Sequence, residues 1–260
     1  MDRREFLATT AVAAVSPLPK LGTLAEPAPR QYIELRRYHL LPGAKASAFS
    51  TFVGEVAIPA MNRAGVGRVG VFTVVYGENA PSLLLVLTHQ TLDSVVSLRD
   101  RLASDAVYAR AGAAILEAPM SDPAFVRVES SLLRAIEAMP TLEPQAGTNA
   151  ATPRIFELRT YESHSDRAAR NKLAMFNAGE VPIFRRTGLT PVFFGETLIG
   201  AKMPSLTYML TFADMSARDT AWSAFGRDPQ WKTLSVDPQY RDNVSAISDI
   251  ILRPTAYSQI

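Results

Sequence analysis

The chain has no cysteine and, among its 260 residues, only three histidines and two tryptophans. Without thiols there is no disulfide, no thiolate metal site and no cysteine nucleophile. His39, His89 and His164 form no pair at metal-ligand spacing, which leaves imidazole metal chemistry without its usual signature and makes solvated or capping roles the expectation for them. Charge of one sign is also missing. Twenty-seven Lys and Arg stand against 25 Asp and Glu, a formal net charge of +2, so there is no excess field to gather nucleic acid or an anionic membrane. Long apolar runs are absent too: Leu7 to Val15 and Leu83 to Leu87 fall well short of the ~20 residues a membrane helix needs. No serine sits in a Gly-x-Ser-x-Gly elbow and no Gly-x-Gly-x-x-Gly follows a strand, since Gly65-Val66-Gly67 reads as a helix terminator running into a strand.

What is present begins with Arg3-Arg4-Glu5-Phe6-Leu7 ahead of an Ala- and Thr-rich stretch. This resembles a twin-arginine export signal. Thr23-Leu24-Ala25 is small at its first and third positions and suits cleavage after Ala25. The expectation is a signal over residues 1–25 and a periplasmic or otherwise exported bacterial protein. Pro17, Pro19 and Gly22 oppose the other reading, a retained amphipathic helix.

The strongest signal is self-similarity. Glu34-Leu35-Arg36 recurs 123 residues later as Glu157-Leu158-Arg159. The same offset pairs Tyr38 with Tyr161, Pro59 with Pro182, Arg63 with Arg186, Gly65 with Gly188 and Gly77 with Gly200. It continues through Pro81-Ser82 with Pro204-Ser205, Thr88 with Thr211 and Asp105 with Asp228, and Tyr108 faces Trp231. A register held from residue 34 to residue 108 without a gap reads as a duplication. The copies are placed at 31–136 and 154–256, with a Pro-containing linker at 137–153.

Each copy reads as strand, helix, two strands around a turn, helix, strand. Gln31 to His39 alternates, with Ile33 and Leu35 on one side and Glu34, Arg36 and Tyr38 on the other. Phe49, Phe52, Val53, Val56, Ala60 and Met61 follow helical spacing, with Pro59 expected to kink or break the helix and Gly65 to end it. Val66 to Tyr76 and Ser82 to His89 form a hairpin. Thr91 or Asp93 caps a second helix running toward Tyr108, and Phe125 to Ile136 is the last strand. The order β-α-β-β-α-β makes this an α+β protein of two tandem ferredoxin-like units. Such a sheet carries both helices on one face, and the other face needs a cover. Two copies would supply it by packing as an α/β barrel, within one chain or between chains.

The first strands Tyr32-Ile33-Glu34-Leu35-Arg36-Arg37-Tyr38 and Ile155-Phe156-Glu157-Leu158-Arg159-Thr160-Tyr161 resemble the opening of a NIPSNAP domain. Pro182-Ile183-Phe184-Arg185-Arg186-Thr187-Gly188 and Phe225-Gly226-Arg227-Asp228-Pro229-Gln230-Trp231 fit as well. The second copy keeps the Asp-Pro-x-Trp pattern where the first has Asp105-Ala106-Val107-Tyr108. The resemblance implies the dimeric α/β-barrel fold shared with small monooxygenases and haem-degrading enzymes, and it supplies no settled activity.

The ligand-binding candidates are the stripe residues Glu34, Arg36 and Tyr38 with Glu157, Arg159 and Tyr161. Alternation puts each trio on one strand face, expected to lie opposite the residues that pack on the helices and so to converge in the barrel. There, a carboxylate, a guanidinium and a phenol would bind a polar ligand. The competing and preferred reading is a buried Glu–Arg pair that fixes sheet register, because duplication repeats scaffold at least as faithfully as sites. Asp228-Pro229-Gln230-Trp231 reads as a helix-terminal turn anchored by a buried indole.

The functional expectation is a protein that binds a small, partly apolar molecule in its barrel. Two alternatives stay open: a cofactor-free oxygenase or isomerase acting on a hydrophobic substrate through these Tyr, Arg and Glu groups, and a structural or partner-binding module. Neither a cofactor nor a metal is called for, no nucleic-acid partner or membrane span is expected, and homo-oligomerisation and catalysis itself are left open. A cavity with converging polar groups would favour binding or catalysis, and a filled barrel the structural module.

Overall fold

The computed structural model describes residues 29–76, 80–144 and 154–260. The export-signal reading of residues 1–25 and the later part of the expected linker, 145–153, lie outside the described residues. The first copy contributes strands β1 (Tyr32–His39), β2 (Val69–Tyr76), β3 (Ser82–His89) and β4 (Arg127–Ala135), and the second β5 (Ile155–Glu162), β6 (Thr190–Ile199), β7 (Ser205–Phe212) and β8 (Ala246–Pro254). They form one closed barrel in the order β1-β3-β2-β8-β5-β7-β6-β4. Every neighbouring pair is antiparallel. Each copy supplies a four-stranded ferredoxin-like sheet, and the two sheets join edge to edge through β2 with β8 and β4 with β6. The barrel therefore closes within one chain, and both edges that a lone copy would leave unpaired are satisfied.

The helices follow the sequence with one common deviation. In the first copy, α1 (Ala44–Phe52) passes through a π-helical turn at Val53–Ala57 into α2 (Ile58–Arg63), with Pro59 in the first turn after it. After β3 come α3 (Leu92–Ala103) and α4 (Ala106–Leu116). The second copy repeats the device: α5 (Asp166–Met175), a π turn at Phe176–Glu180, then α6 (Val181–Arg186) with Pro182 in its first turn, and later α7 (Met215–Arg227) and α8 (Pro229–Ser235). The break expected at proline is thus a widened turn just before it, which lets a ring without an N–H be accommodated.

The second helix of each copy is not continuous toward the aromatic residue. It stops, and Asp105 or Asp228 starts a new helix by accepting the backbone N–H of Val107 and Tyr108, or of Gln230 and Trp231. Each capping aspartate also receives the arginine that ends α2 or α6, Arg63 to Asp105 and Arg186 to Asp228. Gly65 and Gly188 end α2 and α6 with φ of +86°, a conformation that favours glycine.

Three apolar clusters fill the protein. One lies between the first sheet and its helices and includes Phe49, Val53, Met61, Leu83, Leu85 and Leu87. A second does the same in the other copy with Phe176, Phe184, Tyr208, Leu210 and Phe225. The third is inside the barrel and mixes both copies: Ile33, Phe72, Val86, Leu133, Phe156, Phe193, Met209 and Leu252. The C-terminal residue Ile260 is fully buried in this third cluster. The tail reaches it alongside β2, with Thr255 N–H donating to Val71 and Gln259 N–H to Val69.

Candidate functional site

The stripe residues lie on the face opposite to the expected one. Ile33 and Leu35 belong to the barrel interior, and Tyr38 packs in the cluster beneath the first copy's helices. Tyr161 likewise lies beneath the second copy's helices, while Phe156 and Leu158 face the barrel. Glu34, Arg36, Tyr38, Glu157, Arg159 and Tyr161 therefore do not converge in the barrel. The reason is that β1 and β5 are covered on both faces, each of their positions being buried or half-buried and none exposed. Apolar alternation then no longer tells inside from outside.

Beneath the helices the stripe is an ion-paired network. In the first copy Arg36 donates through Nε and Nη2 to the two oxygens of Glu34 at 2.8 and 2.9 Å, and Ser130 Oγ donates to Glu34 Oε1 at 2.7 Å. His89 Nε2 stands 3.7 Å from Oε2. Burial alone would raise the Glu34 carboxyl, but His89, Arg36 and Ser130 around it outweigh that and hold it at about 2.

In the second copy Glu157, fully buried, takes Arg159 Nη1 at 2.7 Å and Arg218 Nε and Nη2 at 3.0 and 2.7 Å. The indole N–H of Trp222 adds a bond of 2.9 Å. These partners again outweigh burial and lower the carboxyl. Arg159 lies 4.6 Å from the Trp222 ring centroid. Next to it, Tyr208 O–H donates to Tyr161 at 2.7 Å, and Lys172 meets Glu180 at 3.0 Å within aromatic walls. Arg218 and Trp222 were missed in the sequence. Their signal was a cation and an indole four residues apart on the same stripe of a helix as Ala221 and Phe225.

Two of the three histidines also differ from expectation. His39 is 4% exposed and His89 fully buried, the latter with Nδ1 bonded to Ser94 Oγ at 2.9 Å; only His164 is exposed. Among the described residues no group of three His, Cys, Asp or Glu side chains is placed to hold a metal ion, and no helix is long and apolar enough to cross a membrane. Trp231 is half-buried rather than enclosed, with its ring 4.3 Å from that of Phe225.

The barrel itself is concave at one end. One end is filled by Ile33, Phe72, Phe156, Phe193 and Ile260. The other holds a cavity of about 370 Å³ to which all eight strands contribute, within the size range of small-molecule sites. Its floor is Leu35, Leu84, Leu133, Leu158 and Ile250; its wall and rim carry Arg37, Glu129, Ser131, Thr160, Thr197, Lys202, Ser205, Thr207 and Ser248. Thr160 and Thr207 share a hydrogen bond of 3.0 Å, and Ser205 donates to Thr197 at 2.9 Å. An apolar base below a ring of hydroxyls and charges suits a molecule with one apolar and one polar end.

Comparison with known proteins places this architecture. Residues 156–259 match the NIPSNAP family model. No functionally curated protein matches the chain. Among solved structures, a protein of Fusobacterium nucleatum provisionally named a monooxygenase shares 9% identity with a TM-score of 0.57, covering 87% of this chain and 93% of that one. A protein of Lactobacillus acidophilus with the same provisional name shares 10% identity with a TM-score of 0.56, covering 89% and 98%. A NIPSNAP family protein of unknown function from Agrobacterium tumefaciens shares 19% identity with a TM-score of 0.38, covering 42% and 96%. At these identities the whole-length matches show the fold. The second copy of the chain thus carries the match to the NIPSNAP family, over residues 156–259, and it closes an eight-stranded barrel with a first copy of the same topology.

Proposed function

We propose that the protein is a binder of a small, partly apolar molecule, held in the open end of the barrel. The observation that carries this reading is the cavity of about 370 Å³ lined by all eight strands, with an apolar floor and a hydroxyl-rich wall. A barrel serving only as scaffold would be filled along its whole length, as it is at the end closed by Ile260. The reading includes export, supported by Arg3-Arg4 and Thr23-Leu24-Ala25 in the sequence. The Glu, Arg and Tyr groups that the catalytic alternative would use lie beneath the helices, where the carboxylates are held by arginines and Tyr161 by Tyr208, and none of them lines the cavity.

Native mass spectrometry of the protein isolated from the cells that make it tests the reading. A bound small mass present in the wild type and lost in Leu158→Trp, which fills the cavity from its floor, is the expected result. A bound mass unaffected by the substitution would place the ligand elsewhere and overturn it.

A further inference from the structure

The polar ring of the cavity is unevenly satisfied. Lys202 Nζ donates to Ser248 Oγ at 2.7 Å and lies 3.9 Å from Glu162. Glu129 accepts Arg127 Nε at 2.9 Å and has His39 Nε2 at 3.2 Å from its other oxygen. Asp249 is exposed at the rim. Arg37 differs from all of these. It is half-buried, it lines the cavity, and among the described residues its guanidinium has neither a hydrogen bond nor an ion pair. Its cross-strand neighbour in β4 is Glu129, the obvious partner, but that carboxylate is turned to Arg127 and His39 instead.

A guanidinium carries five N–H donors and no acceptor, and at Arg37 none of the five is spent on another group of the protein among the described residues. An occupant with a carboxylate would supply the partner, since the planar fork matches two carboxylate oxygens. The duplication adds a separate argument. Glu34 recurs as Glu157 and Arg36 as Arg159, whereas the counterpart of Arg37 is Thr160. At these two equivalent positions one side of the cavity therefore presents a cation with no protein partner and the opposite side a hydroxyl, Lys202 being engaged by Ser248, which favours one orientation of a single occupant.

We propose that the ligand is a small amphipathic carboxylate, its carboxylate on Arg37 and its apolar body on Leu35, Leu84, Leu133 and Leu158. This rests on the barrel-occupancy reading above. The probes are octanoate and octan-1-ol, which share a chain and differ in the charged head, titrated calorimetrically into wild type, Arg37→Gln, Arg37→Lys and Leu158→Trp, with Thr160→Trp replacing the last if it does not fold.

Octanoate is expected to bind wild type at least tenfold more tightly than octan-1-ol. Arg37→Gln is expected to remove about that tenfold for octanoate alone, the scale of one charge-assisted hydrogen bond, and Arg37→Lys to recover part of it. The cavity-filling variant is expected to abolish both. If both probes bind equally and Arg37→Gln changes neither, the carboxylate inference falls while barrel occupancy stands. If neither probe binds wild type, or binding survives cavity filling, both fall.

Discussion

Trp222 and Glu157 meet across the interface between α7 and β5, the indole N–H donating to a carboxylate oxygen at 2.9 Å. That bond identifies the stripe as the seam that holds helix to sheet. Glu157 has two guanidinium partners, Arg159 and Arg218, so the loss of either is cushioned by the other. Arg159→Met and Arg218→Met are each expected to cost about 1–2 kcal/mol, and the double mutant clearly more than their sum, because it strands a buried carboxylate. Urea unfolding of the cycle checks this; strict additivity would show that Glu157 does not couple them.

The Glu34 carboxyl is held at about 2 in the folded protein, below its value in an unfolded chain, so the folded state binds its proton less readily. Stability from this group is fully present above pH ~4.5 and is lost as pH falls toward 2. The size is roughly 3 kcal/mol. Unfolding free energies measured at pH 7 and pH 3 should differ less in Glu34→Gln than in wild type; an unchanged pH dependence would remove Glu34 from the account.

Lys172 and Glu180 form a buried pair at 3.0 Å, yet the aligned positions of the first copy are Phe49 and Ala57, both buried. The fold therefore accepts an apolar pair at these sites. Glu180→Gln is expected to cost about 3–5 kcal/mol by leaving the ammonium without its counter-charge, while Lys172→Met with Glu180→Leu is expected to return to within about 1 kcal/mol of wild type. A double mutant as unstable as the single would show that the pair has a role beyond mutual neutralisation.

Trp231 is half-exposed and Phe225 only 5% exposed. Thermal or chemical unfolding should show Phe225→Ala losing about 3–5 kcal/mol and Trp231→Ala about half of that. Equal losses would mean that the indole is enclosed in solution.

The architecture was legible in the sequence because duplication preserved its punctuation. Pro59 and Pro182, Gly65 and Gly188, and Asp105 and Asp228 mark the same breaks in both copies, and the strands fall where alternation and the hairpin put them. The facing of the stripe was not legible. Alternation separates two faces without naming them, and in a strand covered by helices on one side and a barrel core on the other both faces are buried. For the same reason Arg37 passed unnoticed beside the Glu-x-Arg-x-Tyr pattern: its importance lies in what eight strands enclose, a relationship between residues as far apart as Leu35 and Ile250. Arg218 and Trp222 were hidden similarly, since a helix stripe does not reveal which strand residue it covers.

Glu157 and Leu158 are adjacent in β5 and point to opposite sides of it, one under the helices and one into the cavity. Measuring unfolding free energy together with the affinity for the fluorescent probe 1-anilinonaphthalene-8-sulfonate on Glu157→Gln and Leu158→Trp therefore tests most directly whether the binding site lies inside the barrel. Glu157→Gln is predicted to lose about 3–5 kcal/mol of stability and to bind the probe as wild type does while folded. Leu158→Trp is predicted to stay within about 2 kcal/mol of wild type and to lose the probe. The opposite pattern, binding lost with Glu157→Gln and kept with Leu158→Trp, would contradict the account and put the site beneath the helices.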